Sequence, residues 1–416
     1  MLNNCLWNSQ YQDILVAIIS FILAFFDLTF NLFQFQCGII IYANMNGLVI
    51  WAHDNCRSTL AFYLELGRSF MLPTIINIVH KSKNSNREKV GFSKDEIIDS
   101  NINFINDDEQ KALSSLLKHR SWNHIFASYH KEDLFKTLIL KCIDEQITYA
   151  IASEAPCNME ATGFRRILKS FYLDFILPHK IKNLVKHADF ILNYSGYYQN
   201  LLENLGWKNK IISCGYFPPP VPKSCCIKRD ERSWFDFTIL LSGLHQWHRS
   251  PLVLVHALKK LQDRGIDFKC VITQEGPLLN ELKKVVQHYK ISNVEFLGFV
   301  PLEKLIELYQ TCSVYIGCGS YEPWGMRLND VLQCGAPLIV SRGMGGVKLV
   351  DDYQCGLAFN KGESSMLAAQ LELMITDKEK YLWFAANAYD AALKITPQAK
   401  SVEIVKTIQN IYPNWK

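Results

Sequence analysis

The sequence predicts an α/β fold built from two parallel sheets, each with helices on both faces. Three observations carry this expectation. Short apolar runs alternate with helical segments, first over residues 48–213 and again over 238–340. The runs are apolar nearly throughout, as expected of parallel strands buried on both faces. Between the two series stands Pro218-Pro-Pro-Val-Pro222, which can form neither helix nor inner strand and reads as a linker.

In chain order, residues 1–44 do not read as part of that pattern. Residues 14–26 are an uncharged apolar run of 13, broken by Asp27, and short of the roughly 20 residues that span a bilayer. Neither a basic n-region nor a small-residue cleavage site is visible. The segment reads either as an imperfect membrane anchor or as a non-native extension ahead of a start at Met45. Residues 48–53 then read as a first strand, 58–68 as a helix and 74–79 as a second strand. Residues 81–108, rich in Asn, Ser, Lys and Asp, are expected to be a mobile surface excursion. Strands recur near Ile125, Tyr149, Phe190 and Ile211. After the linker, strands are expected at 238–241, 268–273, 294–296, 314–316 and 338–340, with helices at 252–262, 278–289 and 302–309. Residues from about Ala399 read as a last helix. Neither series repeats at a short fixed period, so a solenoid is excluded.

Composition narrows the class. With 49% apolar and 20% charged residues the chain is globular, and a net charge of +4 is too mild to call for nucleic acid. The 13 cysteines contain no Cys-x-x-Cys pair, and Cys142, Cys270 and Cys334 stand singly in apolar runs. That pattern points to buried thiols in a reducing compartment rather than to a disulfide framework or a zinc site.

The chemistry concentrates in S-Y-E-P-W-G-M-R-L-N-D-V-L-Q-C-G-A-P-L-I-V-S, residues 320–341. It reads as a loop, a helix over 325–333 and a buried strand, with Cys334-Gly335 and Pro337 stopping the helix. Glu322 and Asp330 stand eight positions apart, about 12 Å if the intervening residues were helical. That is roughly the length of a diphosphate with a sugar at each end, and a helix N-terminus between them would suit a phosphate. Two exposed acids near a helix start are the alternative reading of the spacing. The wording of the whole stretch resembles the donor-site signature of retaining glycosyltransferases of family 4, with Asp330 where that family usually has Glu. The resemblance extends from Phe237 to Asp390 and continues more thinly, in phase, through the N-terminal half.

This resemblance implies the GT-B architecture: two Rossmann-like domains facing each other across a cleft. The expected divisions are an N-terminal hydrophobic extension (1–44), an acceptor domain (45–222), a nucleotide-sugar domain (223–398) and a terminal helix returning to the first domain (399–416). It further implies a sugar donor carried on a nucleoside diphosphate, UDP or GDP, with no other cofactor and no metal. Glu322 would hold donor-sugar hydroxyls and Asp330 the ribose. Ser242-Gly-Leu-His-Gln-Trp-His-Arg-Ser-Pro251 resembles the family's phosphate loop, with Arg249 at the position of its Lys and Leu244 where an Arg is frequent. His245 or His248 are candidates to replace that missing cation, or are simply loop histidines. Gly243, Glu275, Gly276, Trp324, Gly325 and Met326 complete the expected donor site, and Glu322 and Arg249 are the expected catalytic pair. On the acceptor side, His130 and Glu154 stand at strand ends.

Residues 163–186 carry Arg165, Arg166, Lys169, Lys180, Lys182 and Lys186 against Asp174 alone, a local +5 interleaved with aromatics. A solvated helix face and an anionic membrane surface bearing a lipid-linked acceptor are both readings of this patch. The function expected is transfer of a sugar to a hydroxyl of a glycan or lipid-linked acceptor in cell-surface polysaccharide or glycolipid synthesis. The expected location is the cytoplasm or the cytoplasmic face of a membrane. The alternatives are a sugar-nucleotide epimerase on the same fold and a catalytically silent partner subunit, the latter prompted by Leu244 and Asp330.

Overall fold

The computed structural model describes residues 46–53, 57–79, 99–127, 133–156, 163–196 and 199–415. The extension 1–44, the greater part of the expected excursion 81–108, and His130 lie outside the described residues. The first sheet contains β1 (Leu48–Ala52), β2 (Thr74–Ile78), β3 (Ile102–Phe104), β4 (Asn123–Phe126), β5 (Tyr149–Ser153), β6 (Ile191–Asn193) and β7 (Ile211–Ser213). The second contains β8 (Thr238–Leu241), β9 (Lys269–Thr273), β10 (Val294–Gly298), β11 (Val314–Gly317), β12 (Leu338–Ser341) and β13 (Gly356–Phe359).

Every pairing among these strands is parallel. The orders are β3-β2-β1-β4-β5-β6-β7 and β10-β9-β8-β11-β12-β13. Each sheet therefore starts in its middle, runs to one edge, and returns to build the other side. The neighbours β1 and β4, and β8 and β11, flank the points where the winding reverses. Crevices at the carboxyl ends of such strand pairs are where ligands bind in doubly wound sheets.

The strands read from the sequence are present because β1, β4, β5, β6, β11 and β12 are buried along their whole length. Residues 102–104 depart from the expected surface excursion, since they form β3 and extend the sheet beyond β2. The strand is short and its residues are exposed or partly exposed, so no apolar run announced it.

The last helix, Pro397–Ile411, packs on the helix Arg57–Phe70 of the first half: Ser401 Oγ lies 2.8 Å from Ser69 Oγ. Trp415, fully buried, closes against Phe70 and Phe190. One apolar core contains β1, β2 and β6 residues together with Trp324, Leu338, Val340 and Ile408, and thus crosses from one sheet to the other. The described cysteines are all free and mostly buried, and burial pushes thiols such as Cys142 and Cys318 up to about 12. No helix among the described residues is long and apolar enough to cross a membrane.

Candidate active site

The site is built where β8 and β11 end. The loop after β8 (242–251) and the loop after β11 (318–326) are joined by the amide of Ser320, which donates to the carbonyl of His248 at 2.7 Å. A 3-10 turn, Trp247–Arg249, ends the first loop. It projects Arg249 so that its Nε lies 3.3 Å from Oε2 of Glu322, with both side chains partly buried. The two expected catalytic residues, 73 positions apart in the chain, thus meet where the winding of the second sheet reverses.

Glu322 is held by its backbone. Its amide donates to Gly343 O at 3.1 Å and its carbonyl accepts from Gly345 N at 2.9 Å; Trp324 O accepts from Gly346 N at 2.8 Å. A side chain at Gly345 would meet the carbonyls of Pro323 and Ser195, so only glycine permits this approach. The run Gly343-Met-Gly-Gly346 carries no chemical motif of its own in the sequence. Glycines directly after a strand were the available signal of close backbone contact.

The helix carrying Asp330 begins at Arg327, two residues later than the sequence suggests. Gly325 has φ +93°, which no right-handed helix accepts. Four of the nine residues from Glu322 to Asp330 are helical, so the 12 Å rod estimate does not apply. Desolvation raises the Asp330 carboxyl from 3.8 to about 6, against the opposing pull of the Arg327 guanidinium. Arg327 donates from Nη1 to the hydroxyl of Tyr309 at 3.2 Å. Tyr309 lies 3.1 Å from Ser242 Oγ, and Tyr315 donates to Ser242 O at 2.9 Å. A Cβ built on Gly243 would stand 3.1 Å from Arg249 Nη1 and 3.7 Å from Arg327 Nε. Arg327 was not among the residues singled out from the sequence. It is separated from Gly243 by 84 positions, and no local motif links them.

Other expected residues occupy different positions. His245 is buried, and desolvation lowers its pKa, with Arg249 and Arg327 adding repulsion. It is a buried imidazole whose charged form its surroundings disfavour, unlike the cation missing at Leu244. Its amide donates to Glu275 O at 3.0 Å, and a Cβ on Gly276 would lie 2.5 Å from its backbone nitrogen. Gly276 thus locks the loop after β9 onto the loop after β8, while the Glu275 side chain is exposed. Trp324, expected to touch the donor, is buried: it donates to Asn329 Oδ1 at 2.7 Å and packs on Gly215 and Phe217. Its side chain is a packing group. Met326 is partly buried against the core that crosses both sheets. Glu154 follows β5 and accepts from the Tyr216 hydroxyl at 2.9 Å. Among the described residues no cluster of three His, Cys, Asp or Glu could hold a metal ion.

Residues 235–391 match the family model of the group 1 glycosyl transferases. The chain is 21% identical over 316 residues to N,N'-diacetylbacillosaminyl-diphospho-undecaprenol alpha-1,3-N-acetylgalactosaminyltransferase of Campylobacter jejuni, covering 73% of this chain and 81% of that one. It is 27% identical over 128 residues to GDP-mannose-dependent alpha-(1-6)-phosphatidylinositol dimannoside mannosyltransferase of Mycobacterium tuberculosis, covering 30% of this chain and 32% of that one. In fold it is similar to Anabaena HepE in complex with UDP, with a TM-score of 0.62 at 12% identity over 88% of this chain and all of HepE. It is likewise similar to sucrose-phosphate synthase from Thermosynechococcus elongatus, with a TM-score of 0.60 at 12% identity, over 88% and 99% of the two chains. The fold is therefore GT-B, and the match over residues 235–391 supports a group 1 glycosyltransferase.

Proposed function

We propose that the protein is a retaining glycosyltransferase that moves a sugar from UDP or GDP to a hydroxyl of a glycan or lipid-linked acceptor. The observation that carries this reading is the meeting of Arg249 with Glu322 at the carboxyl ends of β8 and β11. In the reaction, the bond from the anomeric carbon to the β-phosphate oxygen breaks and a bond to the acceptor oxygen forms on the same face. The acceptor proton passes to the departing phosphate oxygen. Arg249 neutralises charge as it develops on that phosphate, so the reading needs no metal and no further cofactor. Glu322 holds donor-sugar hydroxyls beside the reacting carbon, and Asp330 accepts from the ribose. The free, buried thiols suit a reducing cytoplasmic compartment.

Thermal unfolding of the full chain with UDP, GDP and ADP, alone and as their sugars, tests this. A ligand at 100 times its Kd adds about 2.7 kcal/mol. No shift with any of them would remove the nucleotide-sugar reading. Release of nucleoside diphosphate on adding acceptor, with the α-anomer of an α-linked donor retained in the product, separates transfer from epimerisation and from a silent subunit.

The acceptor side of the proposal places the protein on an anionic membrane surface. Gly163–Phe171 and Leu177–His187 form one helical run joined by a π-turn at Tyr172–Ile176. Pro178 lacks the N–H that regular α-helix would need there. Phe164, Ile167, Leu168, Phe171 and Phe175 are all more than half exposed, at helical spacing along one stripe. Lys182 and Lys186 line a cavity of about 350 Å³ on the same run. An apolar stripe flanked by cations is the pattern of a helix lying in a lipid interface. Replacing Phe164, Phe171 and Phe175 by Glu is expected to abolish sedimentation with vesicles of phosphatidylcholine and phosphatidylglycerol. Arg165→Ala with Lys169→Ala should weaken binding by about 1 kcal/mol per charge. Binding that survives both sets of changes, and 1 M salt, would rule out the membrane role.

A further inference from the structure

We propose that Arg327 is a second diphosphate-binding residue, acting with Arg249 across Gly243; this rests on the nucleotide-sugar reading above. The two guanidinium groups arrive from separate parts of the chain and converge over one glycine at the end of β8. Like charges brought together in a partly buried site favour the binding of a further anion. Glu322 is engaged by Arg249. Asp330, whose carboxyl desolvation pushes up to about 6, is the acid whose charge acts on Arg327. Arg249 Nε, although near Glu322, is buried without an aligned hydrogen-bond acceptor among the described residues. Arg327 gives its hydrogen bond to a neutral partner, the Tyr309 hydroxyl.

The network around Tyr309 also explains how Arg327 is aimed. Tyr309 is fully buried and bonded to Ser242, which precedes Gly243 in the loop. This bracing holds the guanidinium over Gly243 before any ligand arrives, and such preorganisation lowers the cost of binding. A diphosphate offers several charged oxygens, enough to engage two planar guanidinium forks at once. Within the loop, position 244 is Leu and His245 is buried, its charged form disfavoured by desolvation.

Calorimetric titration of the full chain with UDP and with GDP, and with the matching nucleoside, decides the question. Arg327→Gln keeps a donor for Tyr309 and loses the charge. It is expected to weaken diphosphate binding at least tenfold and nucleoside binding less than twofold. Arg327→Lys keeps the charge without the fork and is expected to weaken the diphosphate three- to tenfold, again sparing the nucleoside. Should the Gln variant fail to fold, the Lys variant decides alone. Wild-type diphosphate affinity in the variants overturns the inference, as does an equal loss of nucleoside and diphosphate, which marks a structural role. If the wild-type chain binds no nucleoside diphosphate at all, the underlying reading fails and the inference goes with it. Normal wild-type binding alongside unaffected variants removes the inference only.

Discussion

Glu322→Gln is expected to lower kcat by about 10²- to 10³-fold while changing the donor KM only a few-fold, the range seen when one group stabilising developing charge is removed. The reason lies in where charge changes. Glu322 sits beside Arg249, the group assigned to the departing phosphate, so its contacts strengthen as the sugar–phosphate bond breaks. Interactions made mainly in the transition state appear in kcat. Gln is nearly isosteric and keeps the backbone clamp to Gly343 and Gly345, so the loop should hold its shape. Arg249→Ala is expected to cost a similar factor, and the double variant much less than the product of the two, because the residues act as a unit. Steady-state kinetics with the identified donor measure all three. A Glu322→Gln enzyme with normal kcat would show that the pair is a surface ion pair and nothing more.

Asp330→Ala is expected to raise the donor KM by about 10- to 150-fold with kcat nearly intact, from loss of charge-assisted hydrogen bonds worth about 1.5–3 kcal/mol. Binding to ribose is the same before and during the reaction, so it enters KM. The raised pKa adds a pH signature. Ribose hydroxyls donate best to the carboxylate, so the donor KM should rise as pH falls through about 6. Stability runs the other way. A carboxyl with a raised pKa favours the folded chain most when protonated, below the reference value of 3.8, and loses that contribution as pH rises through about 6. Asp330→Asn is therefore expected to stabilise the apo protein at pH 7.5 by roughly 2–3 kcal/mol, with the gain gone near pH 3. Urea unfolding at the two pH values and donor KM across pH 5–8 measure both halves. A pH-independent KM with no stabilisation by Asn would return Asp330 to the status of an ordinary surface acid.

The strands that order the site were legible because a strand buried on both faces must be apolar at nearly every position, and such runs survive without an alignment. Strands at or near the margins of a sheet have no such constraint. β3 is short and partly exposed, and β13 is buried only at its ends, so neither gave a periodic signal. Within the site, Glu322, Asp330 and Arg249 stood in recognisable local words. Arg327 lies in the same stretch as the two acids, but nothing local marked it, because its relation to Gly243 exists only after β8 and β11 have paired. His245 and Trp324 show the converse limit. Position in a motif says which loop a side chain belongs to, whereas burial decides whether it can meet a ligand, and burial comes from distant partners such as Gly276, Gly215 and Phe217.

The return of the last helix, Pro397–Ile411, to the helix Arg57–Phe70 has a consequence for how the molecule comes apart. The chain follows the second sheet to its end and then closes a core to which the first sheet contributes, so neither half retains its full apolar burial without the other. Loss of that closing helix uncovers Phe70, Phe190 and Trp415 together. Two sheets that look separable in topology are therefore joined in free energy, and residues 47–415 should melt in a single cooperative transition, with calorimetric and van't Hoff enthalpies in agreement. The final helix is then also the place where a protease cut, or a partner that peels it away, would unfold both halves at once.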